Sequence, residues 1–164
     1  MSVAWRDLRA MVDEHQSMVF SIALRITGDR GAAEEVAQDV FLELHRNLGR
    51  IESAAHARFW LRKVAAHRAI DRVRQSTRMR EAGAEDLADV AGDSDPGDPL
   101  LRDRLQKLVA RLPPQLRAVI VLRYQEDLTP GEISETLRMP VATVKSNLQR
   151  GLEILRRKTE RVLR

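Results

Sequence analysis

The stretch from Thr129 to Lys158, TPGEISETLRMPVATVKSNLQRGLEILRRK, constrains the fold most, because it leaves room for two helices, a break between them and little else. Thr129, Pro130 and Glu132 open the first helix with a hydroxyl N-cap, a proline at the first helical position and a Thr-x-x-Glu capping box. Ile133 and Leu137 give it an apolar face. Pro140 ends it, since proline cannot continue a helix and pushes the preceding residue out of the α region, so a turn is expected at Arg138-Met139. In the second helix Val144, Leu148, Leu152 and Leu155 recur at helical spacing and mark the side expected to be buried. Opposite them, at about 100° per residue, fall Ala142, Ser146 and Gln149, flanked by Lys145 and Arg150. Small, hydroxyl, amide and cationic side chains near a helix N-terminus suit a DNA major groove, where base edges offer donors and acceptors between phosphates. An ordinary helical hairpin with a solvated polar face meets the same spacing.

Charge separates this stretch from the rest of the chain. The 164 residues carry a net +4, but residues 1–78 hold +3, residues 79–98 hold −6 and residues 99–164 hold +7. Two basic units around an acidic spacer suggest two modules that both meet nucleic acid, joined by a linker that DNA repels. The spacer, EAGAEDLADVAGDSDPGDP over 81–99, has little to bury and reads as mostly disordered. The expected division is therefore a domain over 1–80, a linker over 81–99 and a domain over 100–164. With no cysteine, neither a disulfide framework nor a thiolate metal site is available. No apolar run approaches the roughly 20 residues of a membrane span, and MSVAWRDLRA lacks a signal-peptide core, so a soluble cytoplasmic protein is expected.

From the start of the chain, Leu8, Met11, Val12, Met18, Val19, Ile22 and Ile26 predict a long amphipathic helix stopped at Gly28. A second helix is expected from about Ala32 to Leu48, with Ala33, Val36, Ala37, Val40 and Leu44 inward and Phe41 at the border. Its opposite face holds Glu35, Gln38, Asp39 and Leu42, acidic with one leucine, which suits docking to a basic protein surface and also fits a solvated face. A third helix, about Ala55 to Arg80, can pack Leu61, Val64, Ala65 and Val73 inward. Arg62, Lys63, Arg68, Arg72, Arg74 and Arg78 leave most of the rest cationic. Beside them Phe59 and Trp60 offer flat surfaces on which unpaired bases can stack, although Trp60 fits a core position equally well. After the spacer, Leu101, Leu105, Leu108, Val109 and Leu112 predict a helix stopped by Pro113-Pro114, and Leu116, Val119, Ile120 and Tyr124 predict the next. Nothing alternates with period two over a strand's length, so the chain reads as all-α, with three helices before the spacer and four after it.

A metal-dependent nuclease would need carboxylates such as Glu34, Glu35, Asp39 and Asp71 to converge. Glu34 and Glu35 are neighbours about 100° apart on a helix, no histidine pair sits at i, i+4, and no Gly-rich phosphate loop exists, so no enzyme and no cofactor are expected. A stand-alone DNA-binding regulator explains the C-terminal module but gives no task to the acidic second helix or the aromatic-basic third.

AEEVAQDVFLELH from Ala33, FWLRKVAAHRAIDRVR from Phe59 and LPPQLRAVIVLRYQEDLTPGEISETLRMPVATVKSNLQRGLEILRR from Leu112 together resemble regions 2 and 4 of extracytoplasmic-function sigma factors. The likeness spans nearly the whole chain in the family's order. It implies a subunit that binds bacterial RNA polymerase core and directs it to promoters, itself doing no catalysis. Carried over by position, it implies docking of Glu35, Gln38, Asp39 and Leu42 on the clamp coiled coil of the β′ subunit. It implies minus-10 recognition at or near Trp60, Lys63, His67, Arg68, Asp71, Arg74 and Arg78, and minus-35 recognition by Thr143, Lys145, Ser146, Asn147, Gln149 and Arg150. The β-flap and an anti-sigma factor are further partners it implies, with no membrane insertion of the chain itself. The chain departs from the family's pattern at His45, His67, Ser134 and Arg138, and at Asn147 and Gln149 on the recognition face itself; Arg138 in a left-handed turn would carry strain on the order of 1 kcal/mol that glycine avoids.

The charge and composition of the spacer predict that limited proteolysis cuts first between about Arg80 and Asp98 and leaves two stable fragments. Mass spectrometry of a time course checks this, and uniform protection of that stretch in the free protein would contradict it.

Overall fold

A computed structural model of the protein describes residues 7–83 and 99–162. Among these residues seven α-helices and a single 3-10 turn form, with no strand. The chain divides into two compact units, Met1–Arg72 and Val73–Arg164. The acidic spacer expected over 81–99 falls mainly on residues 84–98, which lie outside the described residues; its first residues close one helix and Pro99 opens the next.

In the first unit, α1 (Leu8–Thr27) starts at Asp7, whose carboxylate accepts from the Arg9 amide at 3.1 Å. It stops at Gly28, where φ is 70°, a left-handed geometry that costs glycine nothing. Asp29 caps α2 (Arg30–Asn47) in the same way, and the 3-10 turn Leu48–Arg50 follows. Ser53 then accepts from the amide of His56, inside the first turn of α3 (Ala54–Gly83), while His56 Nδ1 accepts from the Glu52 amide at 3.1 Å. Met11, Val19, Ile22 and Ile26 of α1, Val36, Val40 and Leu44 of α2, and Leu61 and Ile70 of α3 form the core. The α3 contribution is otherwise alanine: Ala57, Ala65, Ala66 and Ala69 are fully buried. His15 is buried on α1, and that desolvation lowers its pKa from the ordinary histidine value, with Arg58 adding to the effect and Glu14 opposing it.

The second unit holds α4 (Pro99–Ala110), α5 (Pro114–Tyr124), α6 (Pro130–Leu137) and α7 (Val141–Val162). Leu112, Leu116, Ile120 and Leu155 form one core cluster, with Leu108, Val109, Leu148 and Ile154 packed against it. Arg117 is buried, and its guanidinium donates to the Ala110 carbonyl and, at 2.9 Å, to that of Leu112. The Ala110 carbonyl is the last of α4 and Leu112 lies in the link to α5, so one side chain of α5 caps both the end of α4 and the link after it. Burial pushes the Arg117 pKa down to about 10, still far above neutrality.

The expected helical pair is α6 and α7. Both halves of the capping box form: the Glu132 amide donates to Thr129 Oγ1 at 3.1 Å, and the Thr129 amide donates to Glu132 Oε1 at 3.0 Å. Arg138 ends α6 at φ 55°, ψ 52°, the left-handed geometry in which an arginine carries strain, and Ser134 Oγ donates across the turn to the Met139 carbonyl at 2.6 Å. One expectation for α7 needs correction. Leu152 was expected on the buried side but is 37% exposed, and the packed line runs through Val144, Asn147, Gly151 and Leu155. The reason is a close helix approach. A Cβ at Gly151 would lie 3.1 Å from Ile120 Cγ1, so α7 seats its glycine on α5 and turns the neighbouring leucine outward.

Relief of the left-handed strain predicts that Arg138→Gly raises the stability of the second unit by about 0.5–1 kcal/mol, the added freedom of the unfolded glycine offsetting part of the gain. Thermal and urea unfolding check the sign; a loss would show that the arginine side chain outweighs its backbone cost.

Candidate nucleic-acid and partner interfaces

The outer surface of α7 is sorted by helix geometry. Ala142, Thr143, Lys145, Ser146, Gln149 and Arg150 are all exposed, while Val144 is fully buried. Asn147, grouped in the sequence with the minus-35 residues, does not join them. It is 7% exposed, and its Nδ2 donates to Met139 Sδ at 3.9 Å, which ties α7 to the turn before it. Asn147 thus stands on the packed side of α7 with Val144 and Gly151, apart from the exposed residues with which the sequence groups it. Exposed Leu152 lies one turn beyond Gln149 on the outer side.

The third helix sorts its residues likewise. At about 100° per residue, Trp60, Lys63, His67, Asp71, Arg74 and Arg78 fall on one stripe of α3, opposite the buried alanines. Trp60, Lys63 and His67 are half-buried, whereas Asp71, Arg74 and Arg78 are exposed. Arg68 does not share the stripe. It sits on the flank toward α2, where its Nε and Nη2 both donate to Glu43 Oε2 at 2.8 and 2.6 Å. Its Nη1 lies 4.0 Å from Asp39 Oδ2, and Arg72 Nε lies 3.4 Å from Glu35 Oε2. Residues expected to face two different partners are thus brought together: Glu35 and Asp39 of the acidic face pair with Arg72 and Arg68 of the basic helix.

The acidic face of α2 itself forms as expected, with Glu35, Gln38, Asp39 and Leu42 all exposed, Leu42 at 57%. The sequence reading missed what adjoins it. Leu8, Val12 and Phe20 of α1 and Ala37, Phe41 and Leu42 of α2 line an open apolar groove of about 960 Å³, and Glu34, Gln38 and His45 contribute to its lining. Its trace in the sequence was an excess of apolar residues on α1: Leu8, Val12 and Phe20 fall off the buried Met11–Val19–Ile22–Ile26 line and so had no core to enter. Among the described residues no three of His, Asp and Glu cluster as metal ligands, and no helix is long and apolar enough to cross a membrane.

Comparison with known proteins matches both units. Residues 11–79 fit the family model of sigma-70 region 2, and residues 102–155 fit that of sigma-70 region 4. The ECF RNA polymerase sigma factor SigW of Bacillus subtilis is 31% identical over 160 residues, covering 90% of this chain and 86% of that one. The ECF RNA polymerase sigma factor SigK of Mycolicibacterium vanbaalenii is 34% identical over 166 residues, covering 94% and 84%. The sigma factor RpoE of Bartonella quintana, solved in complex with the anti-sigma factor NepR, has the same fold at a TM-score of 0.79 over 94% of this chain and 98% of that one, with 15% identity. With a region 2 unit, a region 4 unit and relatives that align over most of their length, the chain belongs to the extracytoplasmic-function sigma factors of RNA polymerase.

Proposed function

We propose that the module over residues 1–80 docks the chain on RNA polymerase core and holds the minus-10 element, and that the module over 100–164 reads the minus-35 element through α7. The observation that carries this is the sorting of α7: Lys145, Ser146, Gln149 and Arg150 stand outward while Val144 and Leu155 hold the helix from behind. Lys145 and Arg150 position the helix on phosphates or read guanine, and Ser146 and Gln149 choose bases. On the docking side, Glu35 and Asp39 meet the basic clamp coiled coil of β′, and the apolar groove beside Gln38 and Leu42 takes apolar side chains of the same partner. The β-flap meets the second module, and an anti-sigma factor competes for these surfaces. The polymerase performs the chemistry, and the chain acts in the cytoplasm without catalysis of its own.

The promoter reading is tested by transcription from a library randomised across the minus-35 element, at two salt concentrations. Gln149→Ala is expected to relax preference at one or two positions, at a cost of about 1–3 kcal/mol on the preferred base. Loss of a purely phosphate-bound cation weakens all promoters alike and flattens the log–log salt slope by about one unit. If Gln149→Ala and Lys145→Ala both leave selected sequence and output unchanged, α7 is not the reading head. The docking reading is tested by combining Asp39→Arg with Gln38→Ala: affinity for core falls while helicity and melting temperature hold, since both positions are exposed. Unchanged core affinity would place the docking surface elsewhere.

A further inference from the structure

Glu43 is part of neither binding surface described above, yet it makes the closest ion pair between α2 and α3. Along α2, Glu35, Asp39 and Glu43 succeed one another at four-residue steps, and along α3 Arg68 and Arg72 do the same, so three carboxylates face two guanidiniums. Arg68 is the shared residue. A guanidinium offers its N–H groups in paired edges that match a carboxylate or a phosphate. Glu43 takes the Nε–Nη2 edge of Arg68 through a single oxygen, and Nη1 is turned toward Asp39. Arg68 directly follows His67 of the outward stripe in sequence, and its side chain is 40% exposed, so its charge lies within reach of a strand on that stripe.

Resting on the reading of α3 as a DNA-facing helix, we propose that Glu43 is an intramolecular competitor for the DNA backbone: by occupying the paired edge of Arg68 it withholds that cation from phosphate and sets how tightly the first module grips a single strand. Arg68 must leave Glu43 before it can give a phosphate a two-pronged contact. The pair is partly exposed, which limits the competition to about 2–5-fold in a binding constant. Because Asp39 and Glu35 belong to the same set of pairs, a cationic partner that engages them loosens the remaining hold on Arg68 and Arg72, and by linkage DNA strengthens that engagement in return.

A double-mutant cycle on the full-length chain tests this, read by fluorescence anisotropy with a labelled single-stranded oligonucleotide of mixed sequence at several salt concentrations. Glu43→Gln is expected to tighten binding about 2–5-fold and to steepen the log–log salt slope by about 0.7, one further phosphate contact on a single strand. In the Arg68→Gln background the same change is expected to give no gain. Asp13→Asn, which removes an exposed charge on α1, controls for net charge. Glu43→Asp keeps the charge but shortens the reach, so it too should tighten binding, and it serves if Glu43→Gln lowers the melting temperature. An equal gain with and without Arg68, or no gain from either Glu43 variant, overturns the proposal. Arg74→Gln separates the two levels of the argument: if it weakens binding while both Glu43 variants do nothing, only the competitor role fails. If Arg74→Gln and Arg68→Gln are both silent, or no variant binds, the DNA-facing reading of α3 fails with it.

Discussion

The first unit depends on a helix surface made mostly of methyl groups. Ala57, Ala65, Ala66 and Ala69 bury completely on α3, so apart from Leu61 and Ile70 that helix meets the core with small side chains. On its flank Arg68 and Arg72 reach across to Glu43, Asp39 and Glu35 of α2. Enlarging any of these alanines would overpack the core. One helix thus carries both the small-residue packing and the cations that pair with α2.

The second unit uses the same device once. Gly151 lets α7 sit down on Ile120, and Val144 and Leu155 pack on the same side of the helix. With that side inward, Asn147 is inside and Leu152 outside. Arg117 adds a polar tie, its guanidinium donating to the carbonyls of Ala110 and Leu112 at the passage from α4 to α5.

Much of this architecture is legible in the sequence. Capping residues, prolines and glycines act locally, and the Thr129–Glu132 box, the Gly28 stop and the left-handed Arg138 all stand where the sequence puts them. The acidic face of α2 and the outward polar residues of α7 followed from periodicity alone. What periodicity could not supply was the pairing of faces between helices. A 100° wheel treats Leu152 and Gly151 by their hydrophobicity and favours the leucine; only the approach of α5 reverses that order. The wheel likewise counted Arg68 among the cations of α3 without seeing that Glu43 stands opposite it, and it put Leu8 and Val12 on the apolar side of α1 without showing that they line a groove.

The turn between α6 and α7 has a consequence for how this protein can change over generations. Its geometry is held by backbone and buried contacts: the Thr129 cap, the Ser134 bridge, Asn147 against Met139 and Gly151 against Ile120. None of these uses Lys145, Ser146, Gln149 or Arg150. The outward residues can therefore be exchanged, singly or as a set, at almost no cost to folding, whereas the residues behind them cannot. On the proposed reading of α7, a duplicated copy of such a chain could acquire a new promoter preference by substitution at four surface positions while keeping its scaffold intact.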